Sequence, residues 1–204
     1  MIELKIRRAA ILSVATGAAL FVSGCNTDRQ PRVNPAPKVW AVLAADTHDL
    51  PFIVDAATLS VTYTIESAEC LKPKPVSGAI AAPFITVSFD VQKASNQRFE
   101  ARIPIDHFLD EDYDGRGVCR WGIASADFTL KHGERAISAG MAGNAVVQHQ
   151  AASDYFSTWS LESAPTDKPQ AGLSDPAAVH VAQGKKIYSV TITAKEAMHD
   201  RANP

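Results

Sequence analysis

The chain has little charge imbalance, few cysteines and, beyond residue 24, no long apolar run. Its 204 residues carry 20 Lys+Arg against 22 Asp+Glu, a formal charge of −2, and no basic stripe of the kind that grips phosphates, so nucleic acid is not an expected partner. No stretch past residue 24 approaches the ~18 uninterrupted apolar residues of a membrane-spanning helix. The patterns G-x-S-x-G, H-E-x-x-H and S-x-x-K do not occur. The histidines (His48, His107, His132, His149, His180 and His199) are scattered, with carboxylates close in sequence at, among others, His48-Asp49 and in the acidic run after His107. These absences argue against an enzyme, and nothing implies a cofactor; what remains is a binding module or a structural component.

The N-terminus states an address. MIELKIRR carries Lys5, Arg7 and Arg8, and AAILSVATGAALFVSG then runs without a charge to Cys25. A basic head, an apolar core slightly too short for a permanent span and a small-residue end are the parts of a signal peptide. Val22-Ser23-Gly24-Cys25 resembles the lipobox of bacterial lipoproteins, a resemblance confined to residues 1–25. It implies that Cys25 is diacylated, freed by the lipoprotein signal peptidase and then N-acylated. Three acyl chains exceed the two signals that stable anchoring takes. Asn26, where inner-membrane retention is associated with aspartate, points to the outer membrane, facing the periplasm. The reading is a signal peptide at 1–24, a lipidated cysteine and flexible Pro-rich tether at 25–38, and one domain at 39–204. Loss of 1–24, with three basic residues and one acidic, moves the formal charge from −2 to −4.

Cys70 and Cys119 are the cysteines left after processing. In an oxidising compartment one disulfide is their simplest fate, and neither has a second thiol or a histidine at zinc-ligand spacing. Closing almost fifty residues, the bridge is worth ~3–4 kcal/mol in the chain-entropy model. It also requires two segments distant in sequence to lie together.

Alternation is the dominant pattern in the domain. Leu59, Val61, Tyr63 and Ile65 share one face of a strand, as do Ile85, Val87, Phe89 and Val91, then Tyr188, Val190 and Ile192, and Ala124, Ala126, Phe128 and Leu130. Residues 97–105 read as a fifth strand. Short helices are expected around 40–45 and 142–150, a long surface loop at 163–184 and a frayed tail at 197–204. The expected fold is mainly β: a single antiparallel sandwich or partly closed barrel with few short helices and one disulfide.

The chemically suggestive stretch is DHFLDEDYDGRGVCRW, residues 106–121. Asp110, Asp112 and Asp114 alternate before Gly115, matching the opening D-x-D-x-D-G of a calcium loop. The position of the bidentate glutamate is Trp121, so a cation would need Asp106, Glu111 or a more distant carboxylate. A solvated acidic turn is the metal-free alternative. Cys119 and Trp121 share a strand face, which places the indole over the disulfide; an exposed Trp121 flanked by Arg116 and Arg120 would instead suit a binding hot spot. Asp110, Glu111, Asp112, Asp114, Arg120 and Trp121 are thus the candidate contact residues for a periplasmic protein partner. Immunity proteins and inhibitors of wall-degrading enzymes include small lipoproteins of this general look; a structural accessory of a secretion or envelope-assembly machine is the alternative.

The anchor is directly testable. Cys25→Ser should abolish acylation and leave an unprocessed or unanchored form. Labelled palmitate on the mutant, or a mature wild-type chain without added acyl mass, contradicts the lipobox reading.

Overall fold

A computed structural model describes residues 31–158, 168–179 and 186–197. Among these, strands β1 (Trp40–His48), β2 (Ala56–Ile65), β3 (Phe84–Phe89), β4 (Gln92–Lys93), β5 (Arg98–Pro104), β6 (Trp121–His132), β7 (Arg135–Ala142), β8 (Ala151–Ser157), β9 (Gln170–Ala171) and β10 (Ile187–Glu196) form two five-stranded sheets. One sheet runs β4-β5-β1-β10-β8 and the other β3-β2-β6-β7-β9. All pairings are antiparallel except the short β7–β9 contact. The inner faces enclose one core, so the fold is the expected sandwich with one disulfide, and it is not a closed barrel.

Alternation decides which residues face inward. Leu59, Val61, Tyr63 and Ile65 from β2 meet Tyr188, Val190 and Ile192 from β10 in the common core. Each fully buried Leu or Val there contributes roughly 1.5–3 kcal/mol relative to exposure. On β6 the period breaks once: Thr62 pairs with Ser125 but Tyr63 pairs with Ile123, leaving Ala124 as the extra residue of a bulge. The expected inward row is therefore corrected at one position. Ala126, Phe128 and Leu130 face the core, Ala124 does not join them, and the parity shift turns Ile123 and Trp121 inward.

The stretch expected as a helix around 40–45 is instead the first two-thirds of β1. It lies between β5 and β10, and Ala44 is buried even though it falls on the outer face. Burial of an alanine-rich strand on both faces erases the period-two signal. The second expected helix is present but shorter: α1 (Gly143–Val147). It packs directly on β6, where a Cβ at Gly143 would overlap the Ile123 carbonyl. Of the expected 163–184 loop, residues 168–179 contribute β9 and a 3₁₀ turn at Pro176–Ala178. The remainder of that loop and residues 198–204 lie outside the described residues, as do Cys25 and the signal segment.

Cys70 and Cys119 are bonded, with Cα atoms 5.3 Å apart and both residues buried. Cys70 ends a 3₁₀ turn just past β2 and Cys119 precedes β6, so the bridge staples the end of the β2–β6 ladder beyond the Ile65–Trp121 pair. The native chain should accordingly show no thiol reactive at positions 70 or 119 without reductant. The Cys70→Ala/Cys119→Ala double variant should melt ~5 °C or more below wild type by calorimetry.

Candidate functional site

Residues 104–121 connect β5 to β6, and their conformation follows from what holds Asp106. Its side chain accepts hydrogen bonds from the backbone N–H of Lys38 (2.9 Å) and Val39 (3.1 Å), and Asn34 Nδ2 donates to its backbone carbonyl (2.9 Å). Asn34 N donates to the His107 carbonyl (2.8 Å) and Leu109 N to the Arg32 carbonyl (2.9 Å), so residues 32–34 pair alongside 107–109. Arg32 also forms an ion pair with Glu111. Among the described residues, 32–39 are thus held against the domain, so the part of the expected tether from 32 to 38 is docked.

An aromatic seam fixes the same connection from inside. Tyr63 is fully buried and donates from its hydroxyl to the Pro104 carbonyl (2.7 Å). Its ring stacks on His107 (centroids 5.1 Å apart) and meets Phe108 edge-on (5.4 Å), while Phe89 meets His107 (5.7 Å). Phe108 continues the contact to Trp121 (5.0 Å), whose indole Nε1 donates to Tyr113 Oη (3.0 Å). Desolvation dominates both titrating ends of the seam: it pushes the Tyr63 phenol well above its ordinary range and holds the His107 imidazole below its ordinary 6.5.

The acidic residues are fastened to backbone donors. Asp112 Oδ1 accepts from Asp114 N (3.2 Å) and Arg116 N (3.1 Å), and its Oδ2 accepts from Gly117 N (3.3 Å). Desolvation opposes ionisation of Asp112, but the amides of Gly117, Arg116, Gly115 and Asp114 outweigh it, and the carboxyl lies below its ordinary 3.8. Gly115 and Gly117 carry positive φ (70° and 105°), a backbone that wraps the amides around the carboxylate and that other residues adopt only with strain. Asp110 Oδ1 accepts from Trp121 N (3.0 Å), and Asp114 Oδ2 from Lys72 N (2.8 Å). Cys119 N closes the turn onto the Glu111 carbonyl (2.9 Å).

One expectation changes here, the exposure of Trp121. The carboxylates of Asp110, Asp112 and Asp114 turn to separate amides and do not converge, and no group of three or more His, Cys, Asp or Glu among the described residues is placed to hold a metal ion. Within the D-x-D-x-D-G stretch, Asp112 and Asp114 form an Asx-type turn. Trp121 is 7% exposed and sits against Phe108 and Tyr113, so it anchors the loop to the core and offers no surface aromatic. Asp110, Asp112, Asp114 and Arg120 are exposed, and Glu111 is half-buried beside Arg32. The residues that sequence reasoning left out of the site are Arg32, Asn34 and Tyr113. Asn34-Pro35 is a turn signal that marked an end to the tether's freedom. Compared with protein-family models, curated proteins and solved structures, the chain matches none.

The seam has a pH signature. Because burial lowers the folded pKa of His107, the unfolded chain binds its proton first as pH falls. The contribution is fully present above 6.5 and is lost as pH falls through the folded pKa. His107→Phe should therefore flatten the dependence of Tm on pH below 6.5, measured by calorimetry. A slope identical to wild type in that window contradicts the assignment.

Proposed function

We propose that this chain is carried on the periplasmic face of the outer membrane by acyl chains on Cys25 and acts as a protein-binding module of the immunity or enzyme-inhibitor kind. Its contact surface is the acidic loop, with Asp110, Glu111, Asp112 and Asp114 as the charge and Arg120 on the rim. The observation that supports this most directly is the preorganisation of that charge. Three exposed carboxylates are held in place by backbone amides, on a loop fastened by the disulfide, the Asp106 clamp and the buried Trp121. A loop already ordered loses less conformational freedom on binding. Exposed charge of one sign accelerates encounter with an oppositely charged partner, and a basic wall-degrading or lipid-degrading protein meets that description.

The test combines kinetics with identification. Neutralising the loop (Asp110→Asn, Glu111→Gln, Asp112→Asn, Asp114→Asn) should slow association about tenfold at low salt and flatten its salt dependence, with a smaller change in dissociation. The partner is sought by pull-down from envelope extract, followed by a toxicity assay of what is captured, with and without this chain. An unchanged on-rate removes the loop from the interface. Capture of stable machine subunits alone, with no change in sensitivity on deletion, favours a structural accessory role over immunity.

A further inference from the structure

We propose that a second copy of this chain docks on the open edge of β3, pairing antiparallel with its counterpart to join two five-stranded sheets into one. This rests on the edge itself and is independent of the acidic-loop reading. β3 lies at the end of its sheet and pairs only with β2. Among the described residues, its outer edge makes no backbone hydrogen bond. The other sheet margins are guarded or short. β4 and β9 are two residues each, with Lys93 on β4, and Tyr155 of β8 exchanges backbone hydrogen bonds with Leu173 (2.8 and 3.1 Å). β3 is six residues, Phe-Ile-Thr-Val-Ser-Phe, without charge, proline or bulge, and such an edge is a ready template for another strand.

The side chains indicate that more surface is to be covered. Ile85, Val87 and Phe89 point inward and pack against the core, yet remain half-exposed at this open margin of the sandwich, and Phe84 is 70% exposed. On the outer face Thr86 is held by Thr62 (Oγ1 to Oγ1, 3.0 Å), next to an exposed Ser88. In an antiparallel pair, residues opposite one another share a face. A two-fold axis at Val87 sets Ile85 against Phe89 of the second copy and Thr86 against its Ser88. An axis at Thr86 sets Ile85 against Val87 and Phe84 against Ser88. In both registers the inward apolar row continues across the junction, while on the outer face the hydroxyl residues are flanked by Phe84, set opposite Asp90 with the axis at Val87 and opposite Ser88 with it at Thr86.

The two-fold match of the side chains selects the occupant, and charge selects the direction. Pro83 and Asp90 bracket the neutral stretch. Parallel pairing of two copies would put the Asp90 carboxylates side by side, whereas the antiparallel arrangement places them ~20–27 Å apart at opposite ends, at ~3.4 Å per residue. An edge whose inward residues match themselves about a two-fold thus suits its own copy, turned antiparallel, without any like-charge contact.

Cysteine scanning of the full chain in envelope preparations tests this. Thr86→Cys and Val87→Cys are oxidised with copper-phenanthroline beside a Thr193→Cys control on the outer face of the central strand β10. The residue on the axis should yield a disulfide-linked homodimer in ~5-fold or greater excess over the other and over the control, because only there do two Cα atoms come within bonding distance. Val87→Lys should return the dimer to monomer in sedimentation of the purified chain. If that variant fails to fold, Ser88→Lys at an exposed position takes its place. Cross-linking of neither residue above control overturns the proposal, and so does cross-linking only to a different protein, which would assign the edge to a foreign strand.

Discussion

The connection from β5 to β6 depends on one buried hydroxyl. Tyr63 lies on the inner face of β2, and its donation to the Pro104 carbonyl ties the end of β5, in the opposite sheet, to the strand beneath the acidic loop. A phenol in the core without a partner would cost about 1–3 kcal/mol, so the bond constrains where β5 ends. Everything after Pro104 follows from that position. His107 and Phe108 settle on the Tyr63 ring, Asp106 is presented to the backbone of residues 38 and 39, and Phe108 meets Trp121 at the start of β6. The acidic turn is the outermost layer of this arrangement.

This hierarchy explains which parts of the molecule were legible in the amino-acid order. Strands with one face in the core and one in solvent announce themselves: β2 and β10 alternate strictly, and their inward residues are the ones expected. β1 did not, because it is central and alanine-rich. The bulge at Ala124 was also invisible, since a single inserted residue is defined by the partner strand's register and leaves no mark in composition. It nonetheless decides the fate of Trp121: an uninterrupted period from Leu130 would have carried the indole outward, and one unpaired residue turns it in.

The acidic stretch shows a different limit. Its location was legible as an aspartate-rich turn with glycines, but the sequence alone does not say what the carboxylates face. A cation and a set of backbone amides ask for nearly the same pattern, acid residues at alternate positions followed by glycine. In the structure each of the three carboxylates accepts from at least one backbone N–H, and Asp106, outside the alternating set, does the joining to the N-terminal segment. The disulfide pairing, in contrast, was reachable by counting once the compartment was inferred.

The docking of residues 32–39 beside 106–109 also sets the path of mechanical load. A pull on the chain from its N-terminal side first reaches the Arg32–Leu109 bond, then Asn34–His107, then the Asp106 grip on Lys38 and Val39, and only afterwards β1. These contacts would open one after another from the end, as a zip does, each giving way at a far smaller force than a ladder sheared all at once. About seven residues would come free, paying out up to ~25 Å of slack at ~3.4 Å per residue before the sheet bears tension. Tension applied from the N-terminal side would be taken up there, leaving the core undisturbed.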